Sequence, residues 1–131
     1  MTKRRKERAA LKDVRDARFG QTIAQLADLK RMLAAVKPEL SAFEYWVPEN
    51  LESRRLEIQR MDSYLTVDVL YPTLEKDNPP DVRAVIRHYG QPEVILEGAF
   101  LVAQNSVMDF LLEPDLIEIK SAPPLTSPTS S

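Results

Sequence analysis

Cysteine is absent from this 131-residue chain, and histidine occurs once, at His88. The first absence removes disulfides, thiolate nucleophiles and Cys-type zinc sites, and it fits a reducing compartment. The second leaves a histidine-based triad only one available member and makes an ordinary zinc site within one chain untenable. Glycine is scarce as well. Gly20, Gly90 and Gly98 are too scattered to build a phosphate-cradling loop, so Walker and Rossmann nucleotide binding are excluded by motif. No run of about eighteen apolar residues exists to span a bilayer. The basic N-terminus lacks the apolar stretch of a secretory signal, because Ala9, Ala10 and Leu11 give way to Lys12 and Asp13. The expectation is a cytoplasmic protein with no cofactor, no metal site and no membrane partner.

What is present is an uneven distribution of charge. Residues 1–37 hold eleven Lys/Arg against four Asp/Glu, whereas residues 38–131 hold seven against sixteen. A formal net charge of −2 therefore conceals a basic arm on an acidic body, a layout that suits contact with a polyanion or an acidic partner. Lys3, Arg4, Arg5, Lys6, Arg8, Lys12, Arg15 and Arg18 are the candidate nucleic-acid-binding residues, with RNA or DNA held through phosphate neutralisation. No aromatic precedes Phe19, so the arm is not expected to stack on bases. Lys3 to Lys6 also has the composition of a nuclear localisation tract, which makes the nucleus the alternative compartment.

The apolar fraction, 44%, is that of an ordinary globular protein. Residues 1–18 read as a basic arm, partly helical or flexible, 19–120 as one domain, and 121–131 as a disordered Ser/Thr/Pro tail. Phe19, Leu26, Leu33 and Leu40 recur every seven residues, with Thr22, Leu29 and Val36 between them. This is an amphipathic helix ending near Pro38, either laid on the chain's own sheet or serving as a subunit interface through Phe19, Ile23, Leu26, Leu29, Leu33 and Val36. The aromatic group Phe43, Tyr45 and Trp46 is expected to plug the junction between that helix and a sheet. Alternation around Asp62-Ser63 predicts a hairpin from Leu56 to Tyr71. Asp81 as N-cap, Val82, Val85, Ile86 and Tyr89 on one face and Gly90 as stop predict a short helix, with a strand as the competing reading. A strand is expected over Val94 to Leu96, continuing past Gly98 through Phe100 to Ala103. Val107 to Leu112 fits a helix or a strand, and Leu116 to Lys120 alternates as a last strand. The fold class is α+β: a long N-terminal amphipathic helix packed on a small, mainly antiparallel sheet.

Carboxylates are the only abundant catalytic material. Pro114-Asp115 followed by Glu118-Ile119-Lys120 resembles the Pro-Asp and Glu-x-Lys pattern of metal-dependent nucleases, in which the acids hold Mg²⁺ and the lysine orients water. Three residues apart on one strand, however, Asp115 and Glu118 leave opposite faces, which argues against a shared ion. Thr126 and Ser127-Pro128 are candidate phosphorylation sites. The leading reading is a non-enzymatic, oligomeric binding protein whose arm contacts nucleic acid or another polyanion. By analogy of size and layout it suits a viral or phage accessory or structural protein. The alternatives, in order, are a protein–protein adaptor or assembly factor using the Phe19–Leu40 stripe, and a metal-dependent nuclease.

Overall fold

A computed structural model describes residues 2–48, 50–73 and 77–112, with the side chains of 2–9 and 50–52 left aside. The first element, α1 (Thr2–Val36), is an unbroken helix of 35 residues. Gly20 does not interrupt it. That position faces open space, so the glycine costs only helix propensity, about 1 kcal/mol, and the packed turns on its C-terminal side outweigh this. The helix runs through residues 18 and 19 without a break. The helix stops ahead of Pro38, and the Lys37 N–H closes its last turn on the Leu33 carbonyl at 2.8 Å.

Five strands follow: β1 (Ser41–Val47), β2 (Asn50–Gln59), β3 (Ser63–Leu70), β4 (Val82–His88) and β5 (Val94–Gly98). They form one antiparallel meander in which sheet order equals chain order. Register places Leu56 opposite Val67, Val67 opposite Ala84 and Ala84 opposite Leu96, so one alternating set lines a single face. A second helix, α2 (Phe100–Leu112), returns over that face and completes the core with Phe100, Ala103, Val107 and Phe110. The protein is thus α+β, with two helices on one side of a five-stranded sheet.

The segment read as a helix from Asp81 to Gly90 is instead β4. Val82, Val85, Ile86 and Tyr89 do recur at helical spacing, yet Val82 and Ala84 are the residues fully buried, and they follow the two-residue period of a strand. Gly90, expected as a helix stop, has φ of 78° and occupies the β4–β5 turn, closed by the Gln91 N–H on the His88 carbonyl at 3.0 Å. The predicted continuation of β5 through Phe100 to Ala103 is also replaced: Gly98 ends the strand and α2 begins. A Cβ at Gly98 would lie 2.8 Å from Val102 Cγ2, so any other residue there would force the Val102 side chain to shift where the helix turns back. Residues 107–112 are helical. The strand expected at Leu116 to Lys120, the tail 121–131 and its phosphorylation sites lie outside the described residues.

Candidate functional site

The Phe19–Leu40 stripe is divided by the structure. Leu26, Leu29 and Leu33 are buried in the chain's own core against Leu56, Val67 and the α2 side chains, while Phe19 and Ile23 pack at its margin. Those three leucines are not exposed to a second subunit. Of the six residues assigned to an interface, Val36 alone stands well exposed, at the end of the helix. The stripe is a helix-on-sheet contact, the first of the two readings that its period allowed.

The basic set is divided too. Arg15 donates through Nε to the Pro72 carbonyl at 2.8 Å, and its guanidinium lies 4.7 Å from the centre of the Tyr71 ring. Arg18 donates to Asp81 at 2.5 Å and to the Pro79 carbonyl at 2.7 Å. Both arginines therefore pin α1 to the β3–β4 connection. Asp81, the expected helix cap, is instead the acidic half of this clasp, and its own N–H donates to the Gly98 carbonyl at 2.9 Å. Sequence reasoning had no signal for these pairings, which join residues more than fifty positions apart.

Aromatic packing reinforces the clasp. Phe19 meets Tyr71 edge-on at 5.2 Å and Trp46 at 6.2 Å, so of the aromatic group expected to plug the helix–sheet junction Trp46 alone reaches it, at its exposed margin, while Phe43 and Tyr45 lie on the far face of the sheet. Tyr71 donates to Asp16, which also accepts from Lys12 at 2.9 Å. The Tyr71 hydrogen bond, then that of Lys12, lowers the Asp16 pKa, and the same bonds raise those of Tyr71 and Lys12. An open cleft of about 410 Å³ lies beside the clasp, lined by Arg18, Pro79, Asp81, Glu97 and Gly98. Its charges are mutually compensated, Arg18 by Asp81 and Glu97 by Arg83 at 2.7 Å.

Beyond the clasp α1 leaves the body. Residues 10–14 are all exposed, including Leu11 and Val14. At 1.5 Å per residue, positions 2–14 make a helical rod about 20 Å long. Helical positions 11 and 15 fall on the face that carries Leu26 and Leu33 farther along. The face that is apolar over the sheet is thus continued by Leu11 and Arg15 as the helix departs. Lys3, Arg4, Arg5, Lys6, Arg8 and Lys12 are all on this rod, and Lys12 makes an exposed ion pair with Asp16.

The opposite face of the sheet carries a charged ladder. Arg55 donates twice to Asp68, at 2.6 and 2.9 Å, and this carboxylate raises the Arg55 pKa. Tyr45 donates to Glu57 at 2.6 Å, as does Gln59. The Tyr45 bond, followed by that of Gln59, lowers the Glu57 pKa, while Glu57 raises that of Tyr45. Register explains the pattern, since Tyr45, Arg55, Asp68, Arg83 and Glu97 lie in one row across five strands. Long paired side chains shield the strand beneath, and Asp68 is 8% exposed.

His88 closes β4 rather than a helix, half-buried at the turn. Asp115, Glu118 and Lys120 lie outside the described residues. Among the described residues no three His, Asp or Glu side chains gather as a metal-binding group, and no helix is long and apolar enough to cross a membrane. No family model matches the chain, and no significant match to a curated protein or a solved structure is found.

Proposed function

We propose that this is a non-enzymatic binding protein whose N-terminal helical rod contacts nucleic acid through its phosphates. The observation that carries the reading is the continuity of α1. One helix, anchored at Arg15, Arg18 and Phe19, holds Lys3, Arg4, Arg5, Lys6, Arg8 and Lys12 away from an acidic body. A rod of this kind presents its cations at fixed spacing, and the body's negative charge confines a polyanion to the arm. Contact of this type neutralises phosphates without reading bases, so affinity falls steeply with salt and depends little on sequence. Arg15 and Arg18 are assigned to anchoring the rod rather than to the ligand.

The test is a salt titration of binding to a generic RNA and a generic DNA duplex by fluorescence anisotropy, using nuclease-treated protein. Replacing Lys3, Arg4, Arg5, Lys6 and Arg8 with Gln is expected to weaken binding at least tenfold at low salt and to flatten the dependence of log K on log salt. Unchanged affinity and slope in that variant, or no polyanion affinity in the wild type, overturns the proposal.

A further inference from the structure

The two edges of the sheet are built differently. β1 is guarded: its register shifts between Trp46 and Val47, Pro48 follows, and Glu44 on its helix-facing side is tied to Arg54 at 3.0 Å. A bulge, a proline and a charge on the inner face are devices that discourage a further strand from pairing. β5 has neither the bulge nor the inward charge, and its flanking Pro92 stands two residues before the strand. It pairs with β4 without a register shift from Val94 to Gly98, and it contains neither proline nor lysine. No strand among the described residues lies on its other side.

Its side chains are also uncovered on both faces. Val94 and Leu96 point to the helix side, where α2 rests chiefly on β4, and they remain 47% and 43% exposed. Ile95 points to the ladder side and is 55% exposed. A row of backbone donors and acceptors with apolar residues on both flanks is completed by another strand and not by a helix or a small ligand.

Charge narrows the occupant further. The two acids at this edge, Glu93 and Glu97, are each paired with an arginine of β4, Arg87 and Arg83. The edge is therefore electrically balanced and gives a basic or acidic peptide no net attraction, whereas a copy of itself meets it with no carboxylate opposite another when the two-fold axis passes at Leu96. Antiparallel self-pairing about a two-fold axis at Leu96 places Leu96 beside Leu96 and Ile95 beside the copy's Glu97, whereas an axis at Ile95 would set Glu93 opposite Glu97. We propose that β5 pairs with β5 of a second copy, giving a dimer with one continuous ten-stranded sheet. Five residues of edge fall well short of the roughly 800 Å² per partner of a standard interface, so the dimer is weak and forms in the micromolar range or above. This assembly surface replaces the α1 stripe, whose leucines are internal.

The full-length, nuclease-treated protein is examined by sedimentation velocity from roughly 1 to 500 μM, with hydrogen exchange at both extremes. The expected result is a shift from monomer to dimer, with β5 amides gaining protection as the dimer forms. Leu96→Lys sets two like charges beside each other at the axis, and a far-UV spectrum checks its fold. It is expected to raise the dimer dissociation constant at least tenfold. Leu96→Ile preserves the apolar edge and is expected to retain dimerisation. Four results overturn the proposal. They are a wild type that stays monomeric at about 500 μM, a folded Leu96→Lys variant that dimerises as well as wild type, mass growing past the dimer, and β5 protection that is independent of concentration. The last would mean that a segment of the same chain already occupies the edge.

Discussion

Ser106 is 3% exposed on the core side of α2, and its hydroxyl has no hydrogen-bond partner among the described residues. Burying an unsatisfied hydroxyl costs about 1–3 kcal/mol, and alanine is the better helix former. Ser106→Ala is expected to stabilise the protein by about 1 kcal/mol, read as a higher urea midpoint with an unchanged m-value. Tyr45 and Glu57 make a second residue-scale prediction, with opposite signs at the two ends of the pH range. The Glu57 pKa is lowered from 4.5, so its contribution is present above that value and is lost as pH falls through the depressed one. The Tyr45 pKa is raised from 10.0, so its contribution is full below that value and is lost as pH rises through the elevated one. The bond therefore adds a plateau of stability between these limits, worth about 0.5–1 kcal/mol in its half-exposed setting. Tyr45→Phe is expected to remove the plateau and leave stability at both extremes little changed, as measured by urea unfolding across about pH 3–11.

At the scale of elements, α1 joins two different environments. Its C-terminal half is held by the core, so Leu26→Ala should cost about 2–5 kcal/mol, measured as the loss of unfolding free energy. Its first turn contains no acidic residue and carries Lys3, Arg4 and Arg5 at the positive pole of the helix dipole. Each cation there opposes helix formation by about 0.3–1 kcal/mol, and a chain of phosphates relieves both the dipole and the mutual repulsion. Adding inorganic polyphosphate is expected to slow amide exchange in the first two turns of α1 and to leave the core amides unchanged.

Elements with one dominant period were legible in the sequence. The α1 stripe and the β2–β3 hairpin were of this kind, because Leu26, Leu29 and Leu33 or Leu65, Val67 and Val69 keep the apolar residues to one face. β4 was misread because Val85, on the ladder side between Arg83 and Arg87, supplies an apolar residue off the core face. The small core residue Ala84 weakens the true alternation. β1 was missed because Phe43, Tyr45 and Trp46 place aromatics on both faces of an edge strand. α2 was ambiguous because Leu101, Met108 and Leu112 are exposed on its outer side, leaving it apolar nearly all round. Of the candidate site, the basic cluster was visible as composition. The diversion of Arg15 and Arg18 to Pro72, Pro79 and Asp81 was not, since tertiary contact alone decides which arginines a ligand can reach.

At the scale of the whole molecule, the basic rod and the β5 edge are neighbours. The rod departs from the end holding the 71–81 connection, where Asp81 also accepts from Arg18 and donates to the Gly98 carbonyl at the end of β5. Two copies joined at β5 would carry two rods on one rigid sheet, so a long polyanion engaging both gains effective concentration that a short one does not. The meander also bears on how quickly this architecture assembles. Every strand pairs with its immediate successor in the chain, so no ladder waits for the closure of a long loop. Such a chain has low contact order for a sheet protein, and refolding from urea is expected to be over within milliseconds rather than seconds. Stopped-flow fluorescence of Trp46, the only tryptophan, reads this directly. Its packing on Phe19 joins the earliest helix to the first strand, so the signal records when the two layers meet.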